Sequence, residues 1–575
     1  MSDATPAQRA LDVGLHAFLN CYLRETDAWR IDDGRVHVEL PRRGAEVRLD
    51  LAYRSPTLRH RFELPARLVV DDRDAGTIGV PALVALLLDE LGDADQGSPI
   101  AVLGRVIDSI DATEHALTVR ADELDRLWGA GELSFLETEQ ALLVGHMVHP
   151  TPKSRGDMGA AERDRFSPET AGRFPLHWLS VDRDAVRQDS ALDVPAEELV
   201  RVHLRDEPGD DLRRVLVPAH PFQARLLADD PTTADLFSDG TVIDLGPIGA
   251  EMWPTTSVRT VARPDESWQL KFSLNVRVTN SMRVTLPKEL GRAVEAARLD
   301  RSPVGELARR VAPDLHLVQD PAYLAVVRDG EVVSGFSVLV RDGSWTRRAD
   351  GSFRDITALT TLCQDFPGGG PSRLGAIVDR LAAGAARPRH EVAREWFARF
   401  CSVVVGPLVR LYGEVGLCFE AHQQNTLVEL DGGWPARGLY RDSQGYFHRE
   451  LAHGDITAVL PGHGEVTESI FPEELADERL VYYLFLNMAL GVINALGVAG
   501  CVDEAVLLGD LRRLLEAERA RDTRYPLTLV DHVLDDRRWP CKGNLRTRLH
   551  DMDELVGDIA TQSVYVAVPN PLVGV

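Results

Sequence analysis

Residues 255–286 read TTSVRTVARPDESWQLKFSLNVRVTNSMRVTL, and their pattern sets the fold class. From Trp268 to Thr279, apolar residues (Trp268, Leu270, Phe272, Leu274, Val276, Val278) alternate with polar ones (Gln269, Lys271, Ser273, Asn275, Arg277, Thr279). A period of two belongs to a strand with one buried and one polar face. Thr255–Ala262 is a second β-rich run, and Arg263-Pro-Asp-Glu-Ser267 between them has turn composition, so a hairpin is expected. The register that puts both polar faces on one side sets Arg259 opposite Lys271 and Ser257 opposite Ser273. Like charges directly opposed are unfavourable by up to ~1 kcal/mol, and an anion over that face reverses the sign. With Arg283 just beyond the turn at Asn280-Ser281, the hairpin reads as a floor for a polyanion. The competing reading is a solvated sheet face with ordinary surface charge.

At 575 residues the chain is long enough for about three domains. The expected division is an N-terminal α+β module over 1–133, a sheet-bearing domain over 134–390 and a mostly helical one over 391–575, an α+β protein. The net charge of −25 argues against nucleic acid or an anionic membrane as partner, but not against a local basic pocket. Arginine is abundant while lysine stands at four positions only, Lys153, Lys271, Lys288 and Lys542. Where arginine is the default, a retained lysine hints that a compact ammonium is wanted. Six scattered cysteines without a C-x-x-C pair fit reduced thiols of a cytosolic protein, and the N-terminus lacks the basic start of a signal peptide. The apolar run Leu480–Gly500 has membrane-spanning length, yet Asn487, Asn494 and its glycines point to a buried helix.

Along the chain, a helix is expected over 7–25, strands at Val36–Leu40, Val47–Tyr53 and Arg59–Val70, and helices at Pro81–Leu91 and Glu114–Trp128. Ser134-Phe-Leu-Glu137 is a capping box opening a helix that Gly145 is placed to end. In His146-Met-Val-His-Pro-Thr-Pro-Lys-Ser-Arg155 two prolines forbid helix, so two histidines, a lysine and an arginine stand on a rigid loop. A second Pro-bracketed histidine lies at Pro218-Ala-His-Pro-Phe-Gln223. Helices are expected at Lys288–Leu299 and Val304–Val311, strands at Tyr323–Val327 and Val332–Val340, and a long helix at Glu391–Val415. In extended conformation Glu420, His422 and Gln424 share one face, and a turn at Asp431-Gly-Gly-Trp-Pro435 brings Asp442 back beside them. Glu420, Asn425 and Asp442 then make a set of hard oxygen ligands suited to Mg²⁺. The competing reading is a half-polar surface hairpin. Cations from three stretches and oxygen ligands from a fourth fit a nucleoside triphosphate with Mg²⁺ beside a second anion such as a carboxylate.

These stretches carry a resemblance. Gly145-His-Met-Val-His-Pro-Thr-Pro-Lys-Ser-Arg155, Pro218-Ala-His-Pro-Phe-Gln223, Ser257-Val-Arg-Thr260, Lys271-Phe-Ser-Leu-Asn275, Thr279-Asn-Ser-Met-Arg283, Glu420-Ala-His-Gln-Gln-Asn425 and Arg441-Asp442 occur in the order of the NRPS-independent siderophore synthetases, the aerobactin-synthetase (IucA/IucC) family. The sequence resembles that family over nearly its whole length. The resemblance implies a cupped hand of thumb, fingers with an antiparallel sheet and mostly helical palm, usually a homodimer. It also implies a reaction: ATP and a carboxylic acid form an acyl-adenylate with loss of pyrophosphate, and an amine or hydroxyl then takes the acyl group. Carried over by motif, His149, Lys153, Ser257, Thr260, Lys271, Gln424 and Asn425 contact ATP. Arg259, Asn280, Arg283 and His422 hold the carboxylate or adenylate, with Arg259 and Arg283 able to serve either anion. Glu420 and Asp442 bind Mg²⁺, with Asn425 joining them, and His422, Lys271 and Arg283 are the catalytic candidates. Two departures stand out: His146 is followed by Met147 where the family has His-Pro, and the loop continues Gly156-Asp-Met. His-Pro-x-x-Lys resembles the members that take free citrate. The rival expectations are a phosphotransferase using the same cations, against which the absence of H-R-D and D-F-G speaks, and a metal-binding protein built on His146, His149, His220 and His422.

Overall fold

The computed structural model describes residues 4–92, 97–204, 211–554 and 562–574. The chain opens with helix Pro6–Glu25, which Thr5 caps in a reciprocal box with Gln8. Five antiparallel strands follow in sequential order: Trp29–Asp32, Arg35–Leu40, Ala45–Tyr53, Arg61–Val70 and Arg73–Ile78. Their inward residues, among them Val36, Val38, Val47 and Leu49, pack under the first helix and under Val80–Leu91 and Pro99–Val119. The last of these helices replaces the expected Glu114–Trp128: it starts at Ser98, whose hydroxyl caps it, and ends before Arg120. Leu545 and Leu549, from the far end of the chain, complete this core.

The middle of the chain builds an antiparallel sheet. Its order is Val186–Ser190, Ala322–Arg328, Glu331–Asp342, Trp268–Phe272, Thr260–Ala262, Val242–Pro254, Phe174–Asp182 and Arg214–Ala219. The opening hairpin therefore sits at its centre, but three of its expected details are corrected. First, the register is Thr260 opposite Lys271, one residue away from the Arg259–Lys271 pairing. Ser257–Arg259 is not strand but turn, and Arg259 only lends its carbonyl to Phe272 N at 2.9 Å. Second, Trp268–Thr279 is two strands. The chain leaves the large sheet at Ser273, whose hydroxyl accepts Thr285 N at 2.9 Å, and Leu274–Val278 then pairs with Ser281–Arg283 in a separate ribbon. Third, Gln269 and Lys271 are not on an open face; each is 2% exposed.

The helical run Arg389–Phe400, Cys401–Val405 and Gly406–Glu414 covers the expected long helix, its central segment π-helical. Glu473–Val498 is long and apolar enough to cross a membrane, but 83% of its most apolar window is buried within the protein. These helices share one core with Leu299, Leu359, Leu362 and Leu374, so the expected boundary at 390 runs through that core. The hairpin Thr426–Asp431/Trp434–Tyr440 forms as expected around Gly432 and Gly433, which take φ of 57° and 99° at its tight turn. It is flanked by Leu315–Leu317 and Ile356–Ala358, strands from the preceding segment. Residues 420–425 are not extended: His422 O accepts from both Asn425 N and Thr426 N, making a turn between Phe419 and Thr426. The capping box at Ser134 is present, but its helix stops at Glu139.

Candidate active site

One cleft is lined by all thirteen expected site residues: His149, Lys153, Ser257, Arg259, Thr260, Lys271, Asn280, Arg283, Glu420, His422, Gln424, Asn425 and Asp442. Among the described residues, eleven lysines and arginines line it against four carboxylates, in a chain of net charge −25. All four lysines of the chain are among them. A cleft of one sign with low-dielectric walls concentrates an anionic ligand.

The floor is the turn 255–260. Val258, buried and β-branched, stands at φ 67°, a conformation that costs on the order of 1–3 kcal/mol. That turn lets Ser257 Oγ accept Thr260 N at 3.1 Å while Arg259 runs under the cleft. Arg259 donates to Arg283 O at 3.0 Å, Thr285 Oγ1 at 3.2 Å and Gln444 Oε1 at 2.7 Å. Arg283 is anchored by Val278 O at 2.9 Å and Thr279 Oγ1 at 3.1 Å, leaving its Nε buried without a partner. Burial, and then the Arg259 charge, pull the Arg283 guanidinium down to about 10. Two crowded guanidiniums and an orphaned donor are a site short of an anion. Thr260 Oγ1 is likewise buried and unpartnered.

Lys271 reaches across the cleft to Asp442, Nζ to Oδ1 at 2.5 Å. Burial alone would raise the Asp442 carboxyl, but Lys271, Arg341 and Arg259 outweigh it and hold it well below the usual range. Asp442 itself sits at φ 101°, at the end of the strand Trp434–Tyr440, where a left-handed backbone turns its side chain inward. The expected opposition of unpaired cations is thus replaced by an ion pair between sheet and hairpin.

His149 donates from Nε2 to Asn280 Oδ1 at 3.0 Å, because its Nδ1 already accepts Thr151 N at 3.1 Å. Asn280 passes its amide on to Glu554 Oε1 at 3.0 Å. Burial brings His149 and His422 each down to about 3, so both are neutral at pH 7. Lys153 bonds to Leu142 O and lies 3.4 Å from Glu169; burial lowers it to about 8. Burial pushes the Glu420 carboxyl up; Arg479 and Lys542 counter this, while Asp442 and Glu554 add to it. Among the described residues, no three His, Cys, Asp or Glu side chains converge as a metal site. Glu420, Asp442 and the Asn425 amide nonetheless put an all-oxygen donor set on the same cleft, with Asp442 paired to Lys271. It fits a hard cation that keeps waters and phosphate oxygens for its remaining ligands.

Sequence reasoning missed the residues behind these. Asp320, fully buried, takes the Arg341 fork at 2.5 and 2.9 Å directly behind Lys271 and Asp442. An arginine directly after the mostly apolar run Phe336–Val340 was the available signal. Glu139 accepts Thr256 N and Oγ1 at 2.9 Å each and pairs with Arg441 at 3.0 Å, while Arg441 also binds Gln424 O. That clamp ties the floor turn to the 420–425 turn. His220 is not in the cleft: it packs against Phe166 and Phe174, and its Nδ1 caps helix Pro221–Asp229. Its place in a four-histidine metal site is therefore corrected.

Comparison with known proteins finds relatives over the whole chain. The IucA / IucC family model matches residues 134–364, and a model described as ferric iron reductase FhuF-like transporter matches 394–557. The chain is 39% identical to rhizobactin siderophore biosynthesis protein RhbC of Rhizobium meliloti (strain 1021), over 98% of each chain. It is 33% identical to the spermidine-citrate ligase of Bacillus anthracis, over 97% of each. The ATP-bound aerobactin synthetase IucA of Klebsiella pneumoniae superposes with a TM-score of 0.88 at 31% identity, covering 98% of this chain and 99% of that one. With a relative this similar over its whole length and a cleft that gathers the expected residues, the chain belongs to the IucA/IucC family of NRPS-independent siderophore synthetases.

Proposed function

We propose that this ligase uses ATP to adenylate a carboxylic acid, citrate foremost, and transfers the acyl group to an amine or hydroxyl, releasing AMP and pyrophosphate. The observation that carries the reading is the crowded cation pair Arg259–Arg283, with the Arg283 Nε buried and unpartnered, beside Lys271 in a net-acidic chain. Attack of a carboxylate on an α-phosphate brings two anions together, and fixed cations lower that barrier without reorganising in the transition state. Relatives named for citrate and for bound ATP support the substrates.

Lys271, Ser257, Thr260, Gln424, Asn425, His149 and Lys153 hold the nucleotide. Arg283, Arg259 and Asn280 orient the acid. His422, neutral at pH 7, offers its N–H to the acyl carbonyl, polarising it for the nucleophile. Glu420, Asp442 and Asn425 hold Mg²⁺, which when bound draws charge from the leaving pyrophosphate. The chain acts as a homodimer in the cytoplasm, which light scattering and fractionation test.

The decisive measurement is pyrophosphate release from ATP, Mg²⁺ and hydroxylamine, with citrate, succinate or 2-oxoglutarate as acid. Acid-dependent release with AMP as co-product supports the ligase; ADP would favour the phosphotransferase reading. No acid-dependent release from any of the three would end the adenylation reading.

A further inference from the structure

Four charges form a closed square behind the cleft floor. Lys271 Nζ lies 2.5 Å from Asp442 Oδ1 and 4.0 Å from Asp320 Oδ2. Arg341 gives its fork to Asp320 at 2.5 and 2.9 Å and reaches Asp442 Oδ1 only at 3.8 Å. Ser443 Oγ donates to Asp320 Oδ2 at 2.7 Å, fixing the carboxylate from another side. The Asp320, Lys271 and Arg341 side chains are 0%, 3% and 5% exposed, whereas Asp442 is 25% exposed and is the corner open to the cleft.

The square is asymmetric. A bidentate guanidinium–carboxylate contact is its strongest pairing, and it goes to the carboxylate that lies out of a ligand's reach. Asp442, which a ligand can reach, has one close cation, the point charge of Lys271. Lys271 is also one of the two lysines assigned to the nucleotide. Resting on that functional reading, we propose that Asp320 is a positioning residue that occupies the Arg341 fork and so leaves Lys271 as the one cation in hydrogen-bond contact with Asp442 among the described residues. A nucleotide that draws Lys271 away then frees the Asp442 carboxylate for the divalent cation arriving with it. Without the Asp320 charge, the Arg341 fork turns to Asp442 and keeps that carboxylate neutralised after Lys271 has left.

The test is ATP binding by calorimetry, without acid substrate and with or without Mg²⁺. Asp320→Asn keeps the shape and removes the charge. It is expected to bind Mg²⁺-free ATP as tightly as wild type or tighter, while the gain in affinity from Mg²⁺ shrinks by roughly fivefold or more. Adding Arg341→Gln to Asp320→Asn removes the competing fork and should restore the gain, a rescue that general loosening of the site would not produce. A folded Asp320→Asn with the wild-type Mg²⁺ gain, or a double variant without restoration, overturns the proposal. Should Asp320→Asn not fold, Ser443→Ala removes one hydrogen bond from the same carboxylate. A gain reduced about twofold is then expected, and an unchanged gain overturns the idea. Wild-type protein that binds no ATP would instead remove the functional reading, and this proposal with it.

Discussion

Lys271 of the central sheet and Asp442 at the end of the 426–440 hairpin meet at 2.5 Å, although 171 residues separate them in sequence. Each holds the other in the cleft: the buried ammonium has an acid beside it, and the strained Asp442 backbone has a side-chain anchor. The pair joins the element assigned to the nucleotide to the element assigned to the cation, so its two halves should fail differently.

Lys271→Ala should lower kcat/KM by about 10²–10³-fold with the fold intact by circular dichroism. Lys271→Arg should also be impaired, since a planar fork does not replace a point charge in a site this close. Asp442→Asn leaves the ammonium without its close partner and should reduce stability by roughly 3 kcal/mol in urea unfolding. Near-wild-type turnover in both Lys271 variants would remove that residue from the mechanism.

Arg283→Gln relieves the crowding with Arg259 while taking away the anion's partner. The expected outcome is a protein at least as stable as wild type whose KM for the acid rises about tenfold or more. A thermal melt read beside steady-state kinetics checks both halves, and unchanged kinetics would assign the acid elsewhere.

Histidine titration gives a signed prediction. Burial lowers His146 to about 4 and His149, His220 and His422 to about 3, so between there and the ordinary value near 6.5 the unfolded chain binds more protons. Their contribution to stability is complete above about pH 6.5 and is lost as pH falls towards about 3. Glu25, pushed up to about 7 by burial, acts in the opposite sense and offsets part of this. A melting temperature that declines from pH 7 to 4.5, with no imidazolium signal from these rings at pH 6, is expected by differential scanning calorimetry and NMR.

Arg441→Ala cuts the clamp between Glu139, Thr256 and Gln424. It leaves Glu139 buried without its charge partner, which should cost about 3 kcal/mol. Loosening both turns that face the nucleotide should also raise KM for ATP more than it lowers kcat. An equal effect on kcat alone would mean that the clamp does not position the nucleotide.

Local pattern was enough for the element types. The capped helix Pro6–Glu25, three of the five strands of the N-terminal sheet and the glycine turn at 432–433 form where propensity and periodicity put them. The elements that went wrong are those where a partner distant in sequence overrides the local signal. Ser273 ends a strand because Thr285 N needs its hydroxyl, and residues 420–425 curl because they must cross from one sheet to another.

The sequence by itself named thirteen of the residues that line the cleft, since ordered motifs name side chains whose chemistry suits anions and a hard cation. The tertiary structure alone decided their charge state and their partners. Arg259 faces Arg283 and Gln444 rather than Lys271, Lys271 faces Asp442, and Asp320 with Arg341 stands behind both. The physical reason is range: a strand pattern reports which face a residue takes, whereas ion pairing depends on distance in space and on burial. The hairpin that looked like a row of opposed cations is, once folded, a buried charge network with its one most open corner at Asp442.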